Sequence, residues 1–168
     1  MVQLNQKWDK VLDIFYENPS KSFTIREIYK FTKIPTSTIQ RYLLHLKKQG
    51  IITKENRLNL TPYTKFLKTY NMANKLFRSN LINYLEENLA PSCIILFGSV
   101  RKGEYDLDSD IDLFIESQKS KHLDLNDFEK KLNHPLQLFV EKDIKSLSPH
   151  LFNNIMNGIK LSGYANLK

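Results

Sequence analysis

The residues best suited to chemistry crowd into positions 93–116. An apolar run, Cys93-Ile94-Ile95-Leu96-Phe97, leads into Gly98-Ser99, then Gly103, then Ser109-Asp110-Ile111-Asp112-Leu113-Phe114-Ile115. Alternation along a strand puts Asp110 and Asp112 on one face and Ile111 and Leu113 on the other. Two carboxylates so close together repel each other unless a cation sits between them. Hard oxygen donors and concentrated negative charge suit Mg²⁺ or Mn²⁺, which in turn suit a nucleoside triphosphate such as ATP. Gly98 lets the backbone approach a phosphate, and Ser99 supplies a hydroxyl and an amide N–H. A lone Gly-Ser is a turn, and a lone Asp-x-Asp is most often surface charge. The joint pattern is far more specific than either part. The other candidates are weak: His45, His122, His134 and His150 are scattered without metal-ligand spacing, and no Walker-type Gly-x-x-x-x-Gly-Lys run is present. Cys93 opens an apolar strand and reads as core.

The elements around this cluster follow from periodicity. A helix over residues 7–17 carries Trp8, Val11, Leu12 and Phe15 on one stripe. Thr24 with Glu27 at N3 forms a capping box for a second helix burying Ile25, Ile28 and Tyr29. Thr36 or Ser37 caps a third, with Ile39, Leu43 and Leu46 on one face, and Gly50 follows its basic last turn as a C-terminal glycine. Leu44 falls on the outer face. Two short β-like segments, residues 51–53 and 57–60, flank a turn at Glu55-Asn56. Pro62 then starts a further helix whose apolar stripe runs from Tyr63 through Phe66, Tyr70 and Phe77 towards Leu89, with a break expected near Asn71 or Ser79-Asn80. That stripe reads as core or a dimer seam. After the carboxylate strand come a helix over 125–132, a strand from His134 to Val140 and a helix over 151–161. No Gly/Ser-rich linker separates the halves, so the connection is a fairly stiff helix.

Composition sets the outer bounds. The 168 residues carry 25 Lys+Arg against 18 Asp+Glu, a net charge of +7, with 41% hydrophobic residues. Residues 1–80 hold 15 basic and 5 acidic side chains, whereas residues 81–168 hold 10 basic and 13 acidic. A basic half suits a polyanion, and an acidic half can hold cations. No apolar run approaches the roughly 20 residues needed to span a bilayer. No signal peptide is apparent, and the single cysteine cannot form an internal disulfide. A cytoplasmic protein without membrane partners is the expectation.

Two resemblances follow from these residues. The run Ile34 to Leu46 leading to Gly50-Ile51-Ile52 resembles the recognition helix and first wing strand of winged helix-turn-helix transcriptional regulators. The resemblance implies double-stranded DNA as partner, with Ser37, Gln40 and Arg41 facing base edges, Arg41 and Lys48 reaching phosphates or guanine, and Lys54 and Arg57 at the wing tip. Gly98-Ser99, Gly103 and Ser109-Asp110-x-Asp112 resemble the nucleotidyltransferase superfamily that includes DNA polymerase β and kanamycin nucleotidyltransferase, most closely its minimal prokaryotic domains. The combination is similar to archaeal-type fusions of the two. The second resemblance implies that Gly98, Ser99, Lys102 and Ser109 hold the triphosphate. It also implies that Asp110 and Asp112 are the catalytic, metal-binding carboxylates. The superfamily's third carboxylate falls at Gln137, which can act neither as a base nor as charge balance for a second metal. Glu141 lies four residues further, about 13 Å along an extended strand.

The expected fold is α+β: a winged helix-turn-helix over residues 1–60, a linking helix over 61–80, and a nucleotidyltransferase-like domain with a mixed sheet over 81–168. The expected function is a DNA-binding transcriptional regulator whose second domain binds Mg²⁺ (or Mn²⁺) and a nucleoside triphosphate, with slow or no transfer. Two alternatives stay open: an active, antitoxin-like nucleotidyltransferase acting on a protein, RNA or small molecule, and a protein-binding adaptor with a degenerate site. A toxin-like protein and a second copy of the chain are further candidate partners.

Overall fold

A computed structural model describes residues 6–166, so residues 1–5 and 167–168 of the predicted domains lie outside the description. The described residues form an α+β protein of eight α-helices and one mixed four-stranded sheet. They divide into two compact units, with the boundary between Lys65 and Phe66.

The first unit packs three helices, α1 (Gln6–Glu17), α2 (Ile25–Thr32) and α3 (Thr36–Lys48). Val11, Phe15, Ile28, Ile39 and Leu46 are fully buried, and the Phe15 and Phe23 rings meet edge-on at 5.6 Å. The capping box on α2 forms: Glu27 N donates to Thr24 Oγ1 at 3.2 Å, and Thr24 N donates to the Glu27 carboxylate at 2.8 Å. The Thr24 backbone N–H is the main reason the Glu27 carboxyl sits below its ordinary range. At α3 the expected side-chain cap is absent. Pro35 takes the cap position and Thr36 is already helical, because the fixed φ of proline, −52° here, sets the chain on course for the helix. The two expected β segments shrink to one antiparallel bridge, Ile52 with Leu58. On either side of that bridge Thr53 N donates to the Arg57 carbonyl at 2.7 Å and Asn59 N to that of Ile51 at 2.9 Å, and the side-chain amides of Asn56 and Asn59 bond the carbonyls of Phe23 and Gly50.

The second unit begins within α4 (Pro62–Arg78), which is followed by α5 (Leu81–Leu89). Of the two expected breaks, the chain uses Ser79-Asn80, with Asn80 in the left-handed conformation (φ 69°). The aromatic stripe of α4 does not supply its core. Phe66, Tyr70 and Phe77 are 62%, 57% and 50% exposed, while Lys68, Thr69, Met72 and Leu76 are buried. An aromatic at helical spacing marks one face of a helix, and periodicity does not say which face the protein covers.

The sheet has order β3-β2-β1-β4, built from β1 (Cys93–Phe97), β2 (Ile111–Glu116), β3 (Leu136–Glu141) and β4 (Ile159–Gly163). β1 runs antiparallel to both β2 and β4, and β2 runs parallel to β3 through the crossover helix α7 (Asn126–Leu132). β2 is buried along its length except at Asp112, which is partly exposed, because this central strand is covered on both faces and not alternately solvated. One face of the sheet presents Cys93, Ile95, Phe97 and Phe114 to Ile144 and to Ile155 of α8 (Pro149–Met156). The helix expected over 151–161 stops early. A Cβ on Gly158 would meet Ile95 Cγ2 at 2.4 Å, so the chain crosses the sheet there and Ile159 onward pairs with β1 as an edge strand. Within the described residues, no helix is long and apolar enough to cross a membrane.

Candidate active site

The site forms where β1 ends and the carboxylate strand begins. Antiparallel register sets Phe97 opposite Asp112, so the residue after Phe97 lies beside that carboxylate. Gly98 has φ +70°, a conformation in which a side chain is strained, and its missing Cβ would lie 1.9 Å from Asp112 Oδ2. A side chain at residue 98 would be strained and would displace the carboxylate, against which the bare backbone packs directly. Gly98–Lys102 then forms the short helix α6, which Gly103 closes in the left-handed conformation at φ 67°.

A cavity of about 220 Å³ opens here, lined by Phe97, Gly98, Arg101, Lys102, Asp112, Asn154 and Asn157. It sets two cations on α6 near one carboxylate on β2 and two amides from α8 and its C-terminal cap. Burial, reinforced by the charge of Asp110, raises the Asp112 carboxyl above its ordinary range. A bound cation would favour the charged form of such a carboxylate. Among the described residues, no group of three or more His, Cys, Asp or Glu side chains could enclose a metal ion. Asp112 is the one carboxylate among the residues lining the cavity, an oxygen donor of the kind a hard divalent cation takes.

The predicted residues separate into those the fold gathers and those it does not. Gly98, Lys102 and Asp112 line the cavity, whereas Ser99, Ser109 and Asp110 do not. Asp110 lies one residue before β2 and is exposed, so the two carboxylates do not share a strand as expected. The reason is the turn at 106–109: Asp106 N donates to Ser109 Oγ at 3.0 Å, and Ser109 Oγ donates to Asp106 Oδ1 at 2.9 Å. The Ser109 hydroxyl is engaged in that turn. Gln137 pairs with Asp112 in parallel register and is exposed, one strand over at the same level. Glu141 pairs instead with Glu116 at the far end of β2. Arg101, Asn154 and Asn157 escaped sequence reasoning. Arg101 adjoins Lys102 and was legible by proximity, but nothing local marks two asparagines some fifty residues downstream as neighbours of Asp112. His134 is the other surprise: it is buried, and Nδ1 meets the Ser109 carbonyl at 2.8 Å, so that nitrogen carries the proton and donates. Cys93 is buried, and desolvation pushes its thiol up, as a core residue and not a nucleophile requires.

In the first unit, Ser37, Gln40, Arg41 and Lys48 are all exposed on α3, and Lys54 and Arg57 are exposed around the Glu55-Asn56 turn. Leu44 shares the outer face of α3 and is 63% exposed.

No curated protein and no solved structure shows significant similarity to the chain. Residues 78–161, half of its length, match the family described as nucleotidyltransferase domain. That match spans β1, the Gly98 turn, the Asp112 strand, Gln137 and both asparagines. The chain belongs to the nucleotidyltransferase domain family.

Proposed function

We propose that the second unit binds a nucleoside triphosphate with one Mg²⁺ or Mn²⁺, and that transfer from it is slow or absent. The observation that carries this reading is the fit of Gly98 against Asp112, which would bring a triphosphate held by the Gly98-Ser99 backbone within reach of the carboxylates. Arg101 and Lys102 would neutralise phosphate charge, and Asp112 with Asp110 would hold the cation. When bound, that cation would polarise the phosphate oxygens and stabilise the leaving pyrophosphate. Asn154 and Asn157 would orient the nucleoside. An acceptor hydroxyl attacking the α-phosphorus must lose its proton, and the position level with Asp112 is Gln137, an amide that cannot accept it. Binding is thereby separated from efficient chemistry.

For the first unit we propose a winged helix-turn-helix that binds duplex DNA, making the whole chain a nucleotide-binding regulator. The support is the excess of basic residues before position 81 and the exposure of Ser37, Gln40, Arg41, Lys48, Lys54 and Arg57 on one helix and the adjoining turn. Calorimetric titration of the full chain with Mn²⁺ and ATP tests the nucleotide reading. Saturable binding lost in Asp112→Ala and weakened in Asp110→Ala is expected. Binding that survives loss of both carboxylates would overturn it.

A further inference from the structure

We infer that Lys68 and Thr69, adjacent on α4, are positioning residues that hold the two halves of the nucleotide site at their mutual spacing. The inference rests on the reading that α6 holds phosphate and Asp110 with Asp112 holds the cation.

Thr69 acts on the phosphate half. Its hydroxyl lies 2.9 Å from the Val100 carbonyl and 3.1 Å from that of Arg101, the last turn of α6. The Val100 carbonyl also accepts the Gly103 backbone N–H at 3.1 Å, so the Thr69 hydroxyl adds a tie from α4 to the turn that Gly103 closes. One shared proton from α4 therefore fixes how far α6 sits from the body of the unit, and with it Gly98, Arg101 and Lys102.

Lys68 acts on the carboxylate half. It is fully buried, its Nζ donates to the Tyr105 carbonyl, and the ammonium sits 4.4 Å from the centre of the Tyr105 ring. Tyr105 is buried too and meets His134 edge-on at 5.7 Å. His134 in turn donates to the Ser109 carbonyl, directly before Asp110. The loop that delivers the carboxylates from α6 to β2 is thus pinned at Tyr105 by Lys68 and at Ser109 by His134. A buried ammonium needs hydrogen-bond partners, and the bond from Lys68 to the Tyr105 carbonyl is directional, so it fixes the backbone of that loop.

The two residues make separable contributions, which a purely structural role would not. Full-length protein carrying Thr69→Val (same shape, no hydroxyl), Thr69→Ser (hydroxyl retained) or Lys68→Met is titrated with Mn²⁺ alone, followed by electron paramagnetic resonance, and with Mn²⁺ plus ATP, followed by calorimetry. Thr69→Val is expected to weaken ATP at least tenfold while changing the affinity for Mn²⁺ alone less than twofold, and Thr69→Ser is expected to restore ATP binding. Lys68→Met is expected to weaken both ligands at least fivefold. If Lys68→Met does not fold, the Thr69 pair decides. Wild-type binding together with folded variants that bind ATP within twofold of it would overturn this inference alone. Failure of the wild-type chain to bind Mn²⁺ and ATP would overturn the underlying reading and this inference with it.

Discussion

Replacing Gly98 by alanine measures how closely the turn is fitted to the carboxylate. A Cβ at residue 98 would lie 1.9 Å from Asp112 Oδ2 and 2.8 Å from Asp112 Cγ, on a backbone at φ +70°. Two penalties combine. The left-handed conformation costs a residue with a side chain roughly 1–2 kcal/mol, and forcing a methyl into filled space costs about 1–3 kcal/mol. Gly50 separates them, because it has φ +69° with nothing within 4 Å of its Cβ position. Gly50→Ala should therefore show the backbone penalty alone, about 1–2 kcal/mol, and Gly98→Ala about 2–5 kcal/mol. The steric part is removable, since Asp112→Ala deletes both offending atoms. Gly98→Ala introduced into Asp112→Ala should then cost about 1–3 kcal/mol less than in the wild-type chain. Urea unfolding followed by far-ultraviolet circular dichroism gives the four corners of this cycle. Fluorescence of Trp8, the single tryptophan, which packs edge-on against Tyr42, reports Gly50→Ala in the first unit. Equal destabilisation by Gly98→Ala in both backgrounds would refute the claimed contact.

The raised Asp112 carboxyl gives a pH dependence of definite sign. An acid whose folded value is raised binds its proton more tightly in the folded state, so its contribution is most favourable below the ordinary aspartate range and is lost as pH rises through the folded value. Thermal melts between pH 4 and 7 should show the wild-type chain losing more stability with rising pH than Asp112→Asn, and Mn²⁺ binding should weaken as pH falls. On duplex DNA, Arg41→Ala and Lys48→Ala should each weaken binding and reduce the slope of log K against log salt by about 0.9. Lys160→Ala on β4 should leave both unchanged in electrophoretic or anisotropy titrations, and equal loss at all three would mean unspecific charge attraction. Gln137→Asp should raise pyrophosphate release from ATP in the presence of an acceptor by at least tenfold, since it restores a group able to take a proton at the level of Asp112.

Much of the fold was legible because its signals are local. The Thr24–Glu27 capping box, Pro62 at the start of α4 and the five-residue apolar strand at Cys93 depend on neighbours within a few positions. The site was legible in part for the same reason, since Gly98 and Asp112 sit on adjoining elements that a hairpin-like register brings together. What escaped depends on contacts distant in the chain. The outward turn of Phe66, Tyr70 and Phe77 follows from which side of α4 faces α6 and the Tyr105 loop, and Lys68 in the interior makes sense only once Tyr105 is beside it. The strand at Ile159 replaced a predicted helix because Gly158 must pass close to Ile95, a constraint invisible to helical periodicity. Asn154 and Asn157 looked like ordinary polar positions of an amphipathic helix until α8 was placed against β1.

A crystal structure of the full chain soaked with ATP and Mn²⁺ tests the central claim most directly. The account predicts the triphosphate against the Gly98-Ser99 backbone and Arg101. It predicts one Mn²⁺ between Asp112, Asp110 and phosphate oxygens, the nucleoside towards Asn154 and Asn157, and Gln137 outside the coordination sphere. Nucleotide bound elsewhere, or a second Mn²⁺ ligated by Gln137 or Glu141, would contradict it.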